Sequence, residues 1–190
     1  MRKLSYYIGT TIDGYIASPD DAIDFFPVGE DLLAHIIEEY PETLPTHVRE
    51  QLGVAGAPNK HFDTMVQGRK TYDPALKIGI TSPYRHFRQY VVSRSIAESP
   101  DPEIEIVADP VAKVRELKAE DGMGIYLGGG GELASALLPE IDELIVKVYP
   151  VVAGTGVRMF SGAFTPTPFT LTETKTFDSG VLIQKYTRGK

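Results

Sequence analysis

Between Ile125 and Leu138 the chain reads Ile-Tyr-Leu-Gly-Gly-Gly-Gly-Glu-Leu-Ala-Ser-Ala-Leu-Leu, and this stretch limits the available folds more than any other. The apolar run Ile125, Tyr126 and Leu127 predicts a buried strand, and Leu133, Ala134, Leu137 and Leu138 predict the helix that follows. A strand passing directly into a helix is half of a βαβ unit, and such units build parallel sheets covered on both faces. The glycines between them, Gly128, Gly129, Gly130 and Gly131, lack Cβ atoms, so the backbone can approach a ligand and take positive φ. The helix they open points free N–H groups and the positive end of its dipole outward, and a pyrophosphate fits that description best. Glycine turns also occur where two backbones merely pass closely. Four in a row between a clear strand and a clear helix favour phosphate. Gly129, Gly131 and Ala134 satisfy the G-x-G-x-x-A spacing of a Rossmann domain. That fingerprint also wants an acid at the end of the next strand, whereas Leu144 to Tyr149 runs into Pro150 without one. An ordinary Rossmann domain is excluded.

The remaining pattern alternates strands and helices, with no repeat and no low-complexity linker. Leu4 to Gly9 predicts a first strand, with Tyr15 to Ala17 as its continuation beyond Asp13-Gly14. Leu32, Leu33, Ile36, Ile37 and Tyr40 form a helical stripe, and a short helix is expected from Thr46, whose hydroxyl can cap it. Strands are expected at Phe62 to Val66, Gln89 to Val92 and Glu103 to Val107. Asp109-Pro110 is a cap followed by an N1 proline, opening a helix that buries Val111, Val114 and Leu117. Phe169 to Thr176 and Val181 to Thr187 alternate around Asp178-Ser179-Gly180, a hairpin signal. The expected class is α/β, a mixed and mostly parallel sheet closed by a C-terminal antiparallel hairpin.

Bulk properties narrow the partners. A chain of 190 residues, 42% hydrophobic and 24% charged, is expected to form one globular domain over 1–190. The net charge of −7 argues against nucleic acid or anionic membrane, which are held by dense Lys/Arg patches. The absence of cysteine excludes disulfides, thiolate zinc sites and a thiol nucleophile. No apolar run approaches a membrane span, and Met1-Arg2-Lys3 leads into a strand rather than a signal-peptide core, so a cytoplasmic protein is expected.

Two further strand ends carry cations. Gln67-Gly68-Arg69-Lys70-Thr71 presents a guanidinium, an ammonium and a hydroxyl just past a strand, and Val92-Ser93-Arg94-Ser95 repeats strand, hydroxyl and guanidinium. Arginine's planar fork suits phosphate, although most arginines pair with surface carboxylates. Taken with the glycine turn, the two ends point to an anionic cofactor.

The order of these segments resembles the dihydrofolate reductase superfamily, and within it the branch similar to the C-terminal reductase domain of bacterial riboflavin biosynthesis proteins. The resemblance is carried by Tyr7 to Ala17, Gln67 to Tyr72, Val91 to Arg94, Tyr126 to Leu133 and Pro150 to Phe160. It implies a three-layer α-β-α fold and NADPH bound in an extended pose. Gly68, Arg69 and Thr71 would meet its phosphates, Ser93 and Arg94 its 2′-phosphate, and Gly128 to Gly131 its pyrophosphate. Lys70, Leu127 and Glu132 stand in the same segments. A homodimer is among the expected assemblies.

The chain departs from folate reduction, since it has no tryptophan, and its first helix lies too far along for one acid to be aligned as proton donor. Asp24, beside the apolar Phe25-Phe26, and Asp13, in the first motif, are the expected catalytic carboxylates, ahead of Glu30 and Asp31. His35, His47, His61 and His86 show no ligand spacing, so no metal is expected. Ser93 lacks a nucleophile elbow, and the zinc signature of a fused deaminase is missing. The expected function is an NADPH-dependent reductase transferring hydride to a small planar heterocyclic or carbonyl substrate. The alternative is a protein that binds NADP(H) or another ligand without turnover.

Overall fold

In the computed structural model, which describes residues 1–189, the apolar runs become ten strands: β1 (Leu4–Thr10), β2 (Tyr15–Ala17), β3 (Phe62–Gly68), β4 (Arg88–Val92), β5 (Ile104–Val107), β6 (Gly124–Leu127), β7 (Glu143–Val148), β8 (Val157–Arg158), β9 (Phe169–Thr176) and β10 (Leu182–Arg188). The amphipathic segments become five helices: α1 (Glu30–Glu39), α2 (Thr46–Gln51), α3 (Arg69–Lys77), α4 (Pro110–Ala119) and α5 (Gly131–Ala136). Eight strands form one sheet in the order β5-β4-β3-β6-β1-β7-β10-β9. From β5 to β7 the pairs are parallel, while β10 is antiparallel to both β7 and β9. This is the mixed, mostly parallel sheet with a terminal hairpin that the pattern predicts.

Parallel central strands must be buried on both faces, and β1 is. Leu4 and Tyr6 enter a core shared with Val114 and Leu117 of α4 and with Leu133, Ala134 and Leu137 at α5. Tyr7 enters the opposite core, with Leu32 and Ile36 of α1, Met65, Tyr126, Ile145 and Tyr149. Tyr72 of α3 covers Val91 and Ile104 on the same side as α1. Three layers result.

Local chemistry sets the boundaries. Asp109 caps α4 as predicted, its carboxylate accepting the N–H groups of Val111 at 3.1 Å and Ala112 at 3.0 Å. Two expectations are corrected. Tyr15–Ala17 does not continue β1; it forms a separate two-stranded antiparallel sheet with β8. The Thr46 hydroxyl does not cap α2, because it accepts the N–H of Arg85 at 3.0 Å instead. At the amino edge of the sheet, buried Arg2 donates to the Met123 carbonyl at 2.6 Å, to Thr64 at 2.7 Å and to Asp63. Those bonds tie down the first residues of the chain, and the carboxyl edge carries the loops of interest.

Candidate functional site

Strands β4, β3 and β6 lie side by side, with Gly68 opposite Val92 and Val66 opposite Leu127. Their carboxyl ends therefore bring Ser93 and Arg94, Gly68 and Arg69, and the Gly128–Gly131 turn into one continuous rim, where open parallel sheets hold ligands. The Gly68 N–H donates to the Gly129 carbonyl at 2.8 Å. Arg69 donates from Nη1 to Ser95 Oγ at 2.6 Å and pairs with Asp73, one helical turn on, at 3.4 Å. Ser93 Oγ accepts the N–H groups of Ser95 at 3.2 Å and Ile96 at 3.3 Å, which folds the loop back beside Arg69. Arg69, Lys70 and Arg94 are exposed, Thr71 is half-buried, and Glu132 is exposed beyond the turn. The sequence-predicted cofactor residues meet in space.

The four glycines do different things. A Cβ on Gly128 would stand 2.4 Å from the Met65 methyl, and one on Gly131 would stand 2.1 Å from the Arg158 carbonyl oxygen. Gly129 has φ +97° and is joined to Gly130 by a cis peptide. Gly131 and Gly129 are thus demanded by packing and by conformation. Gly130 differs, because a Cβ there would meet nothing within 4 Å. It faces open space. Helix α5 is only six residues long, so its dipole is weaker than the sequence reading assumed. The N–H groups of Gly129 and Gly130 have no hydrogen-bond partner among the described residues. Beside them, Gln67 is 0% exposed, and neither atom of its amide has a partner. A buried polar group calls for one. Exposed cations, an open glycine, free N–H groups and an orphaned amide fit the phosphates of an extended dinucleotide.

The two carboxylates expected to be catalytic are not on this rim. Asp13 accepts from Thr11 Oγ1 at 2.6 Å, from the Ala153 N–H at 3.0 Å and from the Gly154 N–H at 2.7 Å. The Thr11 hydroxyl above all, then the Ala153 amide, holds its pKa at about 2. Such a carboxylate carries no proton near neutral pH. It fastens the β1–β2 turn to the loop after β7. Asp24 is exposed, and its neighbour Phe26 packs instead against Tyr149, with ring centroids 4.6 Å apart. Of the apolar pair Phe25-Phe26, Phe26 packs on the core and Phe25 packs on Phe26. Asp31 accepts the Ser179 N–H at 3.1 Å and so holds the hairpin tip to α1.

Sequence reading passed over Lys147. It sits on β7 opposite Gly9, half-buried, with Nζ 4.1 Å from the centroid of the Tyr7 ring. Burial lowers its pKa to about 8. Its signal was a single lysine inside the apolar run Leu144 to Val148. Among the described residues no cluster of three or more His, Asp or Glu side chains is placed to hold a metal, and no helix is long and apolar enough to cross a membrane.

The family model for the RibD C-terminal domain matches residues 2–183. The chain belongs to that family. RibD C-terminal domains are reductase domains of riboflavin biosynthesis. Among curated relatives, the uncharacterized protein YwjB of Bacillus subtilis is 29% identical over 183 residues, covering 95% of both chains. The uncharacterized protein YyaP of the same organism is 24% identical, covering 95% of this chain and 92% of its own. Solved structures share the RibD C-terminal fold at lower identity. A protein of Shewanella sp. PV-4 provisionally assigned to riboflavin biosynthesis superposes with a TM-score of 0.73 at 21% identity, over 99% of both chains. A diaminohydroxyphosphoribosylaminopyrimidine deaminase/5-amino-6-(5-phosphoribosylamino)uracil reductase of Thermotoga maritima superposes with a TM-score of 0.64 at 15% identity. The chain spans 57% of that larger protein.

Proposed function

We propose that the chain is an NADPH-dependent reductase acting on a small planar heterocyclic or carbonyl substrate, of the kind named for the Thermotoga maritima protein. The observation that carries this reading is the rim itself: three adjacent strand ends present exposed guanidiniums beside an open glycine position. Arg94 and Ser93, with Arg69 alongside, would hold the 2′-phosphate through charge-assisted hydrogen bonds. Gly130 leaves room for the pyrophosphate, and the free N–H groups beside it would donate to its oxygens. Bound NADPH supplies the hydride. The carboxyl end of β1, one strand beyond the glycine turn, would carry the loops beside which the substrate lies.

Titration calorimetry tests the cofactor half of the reading. NADPH is expected to bind at least tenfold tighter than NADH, about 1.4 kcal/mol, and Arg94→Ala is expected to remove most of that difference. Equal affinities in the wild type would defeat the assignment. NADPH oxidation with 5-amino-6-(5-phosphoribosylamino)uracil, and with a panel of pterins and quinones, then separates a reductase from a protein that binds without turnover.

A further inference from the structure

Strand β7 places one lysine among Leu144, Ile145, Val146 and Val148. Its register sets Lys147 opposite Gly9 on β1 and Ile183 on β10, so its side chain leaves the sheet on the α1 face. There the ammonium lies over the Tyr7 ring. A Cβ on Gly9 would stand 3.0 Å from the Tyr149 ring and 3.9 Å from Lys147 Cε, so the glycine leaves both side chains their places. Tyr149 in turn packs on Phe26. The cation stands in a frame of aromatic rings near the carboxyl edge, two strands from β6 and its glycine turn, roughly 10 Å across the sheet.

What the site lacks is a counter-charge. Buried ammonium groups are normally paired and hydrogen-bonded. Lys118 of this chain obeys, with Asp142 at 2.7 Å and the Glu140 carbonyl at 2.6 Å, and so does Lys185, with Glu173 at 2.9 Å. Lys147 has neither a carboxylate within 4.0 Å nor a hydrogen bond among the described residues. Desolvation is the sole cause of its lowered pKa, so no neighbouring charge compensates it. The Tyr7 ring offers a cation–π contact but accepts no N–H bond, so the ammonium's donors are left to solvent or to a ligand.

We propose that Lys147 is the cationic anchor of the substrate subsite, and that the ligand it takes is a planar heterocycle carrying an anionic oxygen. The oxygen meets Nζ, and the ring lies beside Phe26, the partly exposed member of the aromatic frame. This deepens the reductase reading by naming a substrate class, but the unpaired cation and its aromatic frame do not depend on the cofactor.

Orotate, a planar anion, and uracil, its neutral counterpart, are the probes. Calorimetry with the full chain, with and without NADP+, is expected to show orotate binding at least tenfold tighter than uracil. Lys147→Met is expected to erase that preference while leaving NADP+ affinity unchanged, and Lys147→Arg, which keeps the charge, is expected to keep it. Equal binding of the two probes by the wild type, no binding of orotate, or an undiminished preference in Lys147→Met overturns the proposal. Should Lys147→Met fail to fold, the wild-type ratio and the arginine variant still decide it. Failure of NADP+ to bind while orotate discriminates would sink the cofactor reading and leave the subsite standing.

Discussion

Single residues separate binding from folding at the glycine turn. Gly130 has φ −88°, a value open to any residue, and a side chain there meets no protein atom. Gly130→Val is therefore expected to melt within a degree or two of the wild type and to lose NADPH binding in calorimetry; retained binding would make the turn structural. Lys147 supplies the complementary case. Its pKa falls from 10.5 to about 8 in the folded chain, so between those values the unfolded chain holds the extra proton and stability rises with pH. Below pH 8 the partly desolvated charge lowers the stability of the fold. Lys147→Met is expected to be the more stable protein in urea at pH 7, with its advantage shrinking toward pH 10.5. A variant less stable at pH 7 would show that the ammonium is well solvated. The sequence showed Gly68, Arg69, Ser93 and Arg94 because each lies beside a recognisable strand end. It could not show that Gly131 answers to the Arg158 carbonyl, or that Lys147 lacks a partner, since both facts depend on residues distant in the chain.

At the scale of elements, legibility followed how local the cause was. Helix α4 was read correctly because its cap and N1 proline are adjacent to it. Asp109→Ala removes the acceptor for two N–H groups and is expected to cost about 1 kcal/mol in urea denaturation, with cofactor affinity unchanged. No loss of stability would mean that solvent satisfies those groups equally well. The segment Tyr15–Ala17 was misread for the opposite reason. Its partner is Val157–Arg158, and the Asp13 carboxylate that positions the turn accepts from N–H groups 140 and 141 residues away. No window of local sequence contains that information. The same holds for Thr46, whose hydroxyl is claimed by the Arg85 N–H.

The molecule as a whole has a consequence in time. β1 is the first strand in the chain, yet it lies inside the sheet between β6 and β7, pairing with Ile125 to Leu127 on one side and Glu143 to Val148 on the other. At a synthesis rate of 5–20 residues per second, the nascent chain carries Leu4 to Thr10 unpaired for on the order of ten seconds before either partner exists. The core can close only when the last third has emerged, and the long loops this requires make folding slow. A fragment ending at Met123 contains β1, β2, β3, β4 and β5 but neither of the strands that join β1 to the rest. It is expected to show no cooperative unfolding transition by circular dichroism and to aggregate, whereas mixing it with residues 124–190 is expected to restore one. A cooperative transition in the fragment alone would mean that β3, β4 and β5 fold without the centre of the sheet. Mutations that lower yield in cells should then concentrate in β6 and β7, where a ribosome-bound N-terminus is waiting for its neighbours.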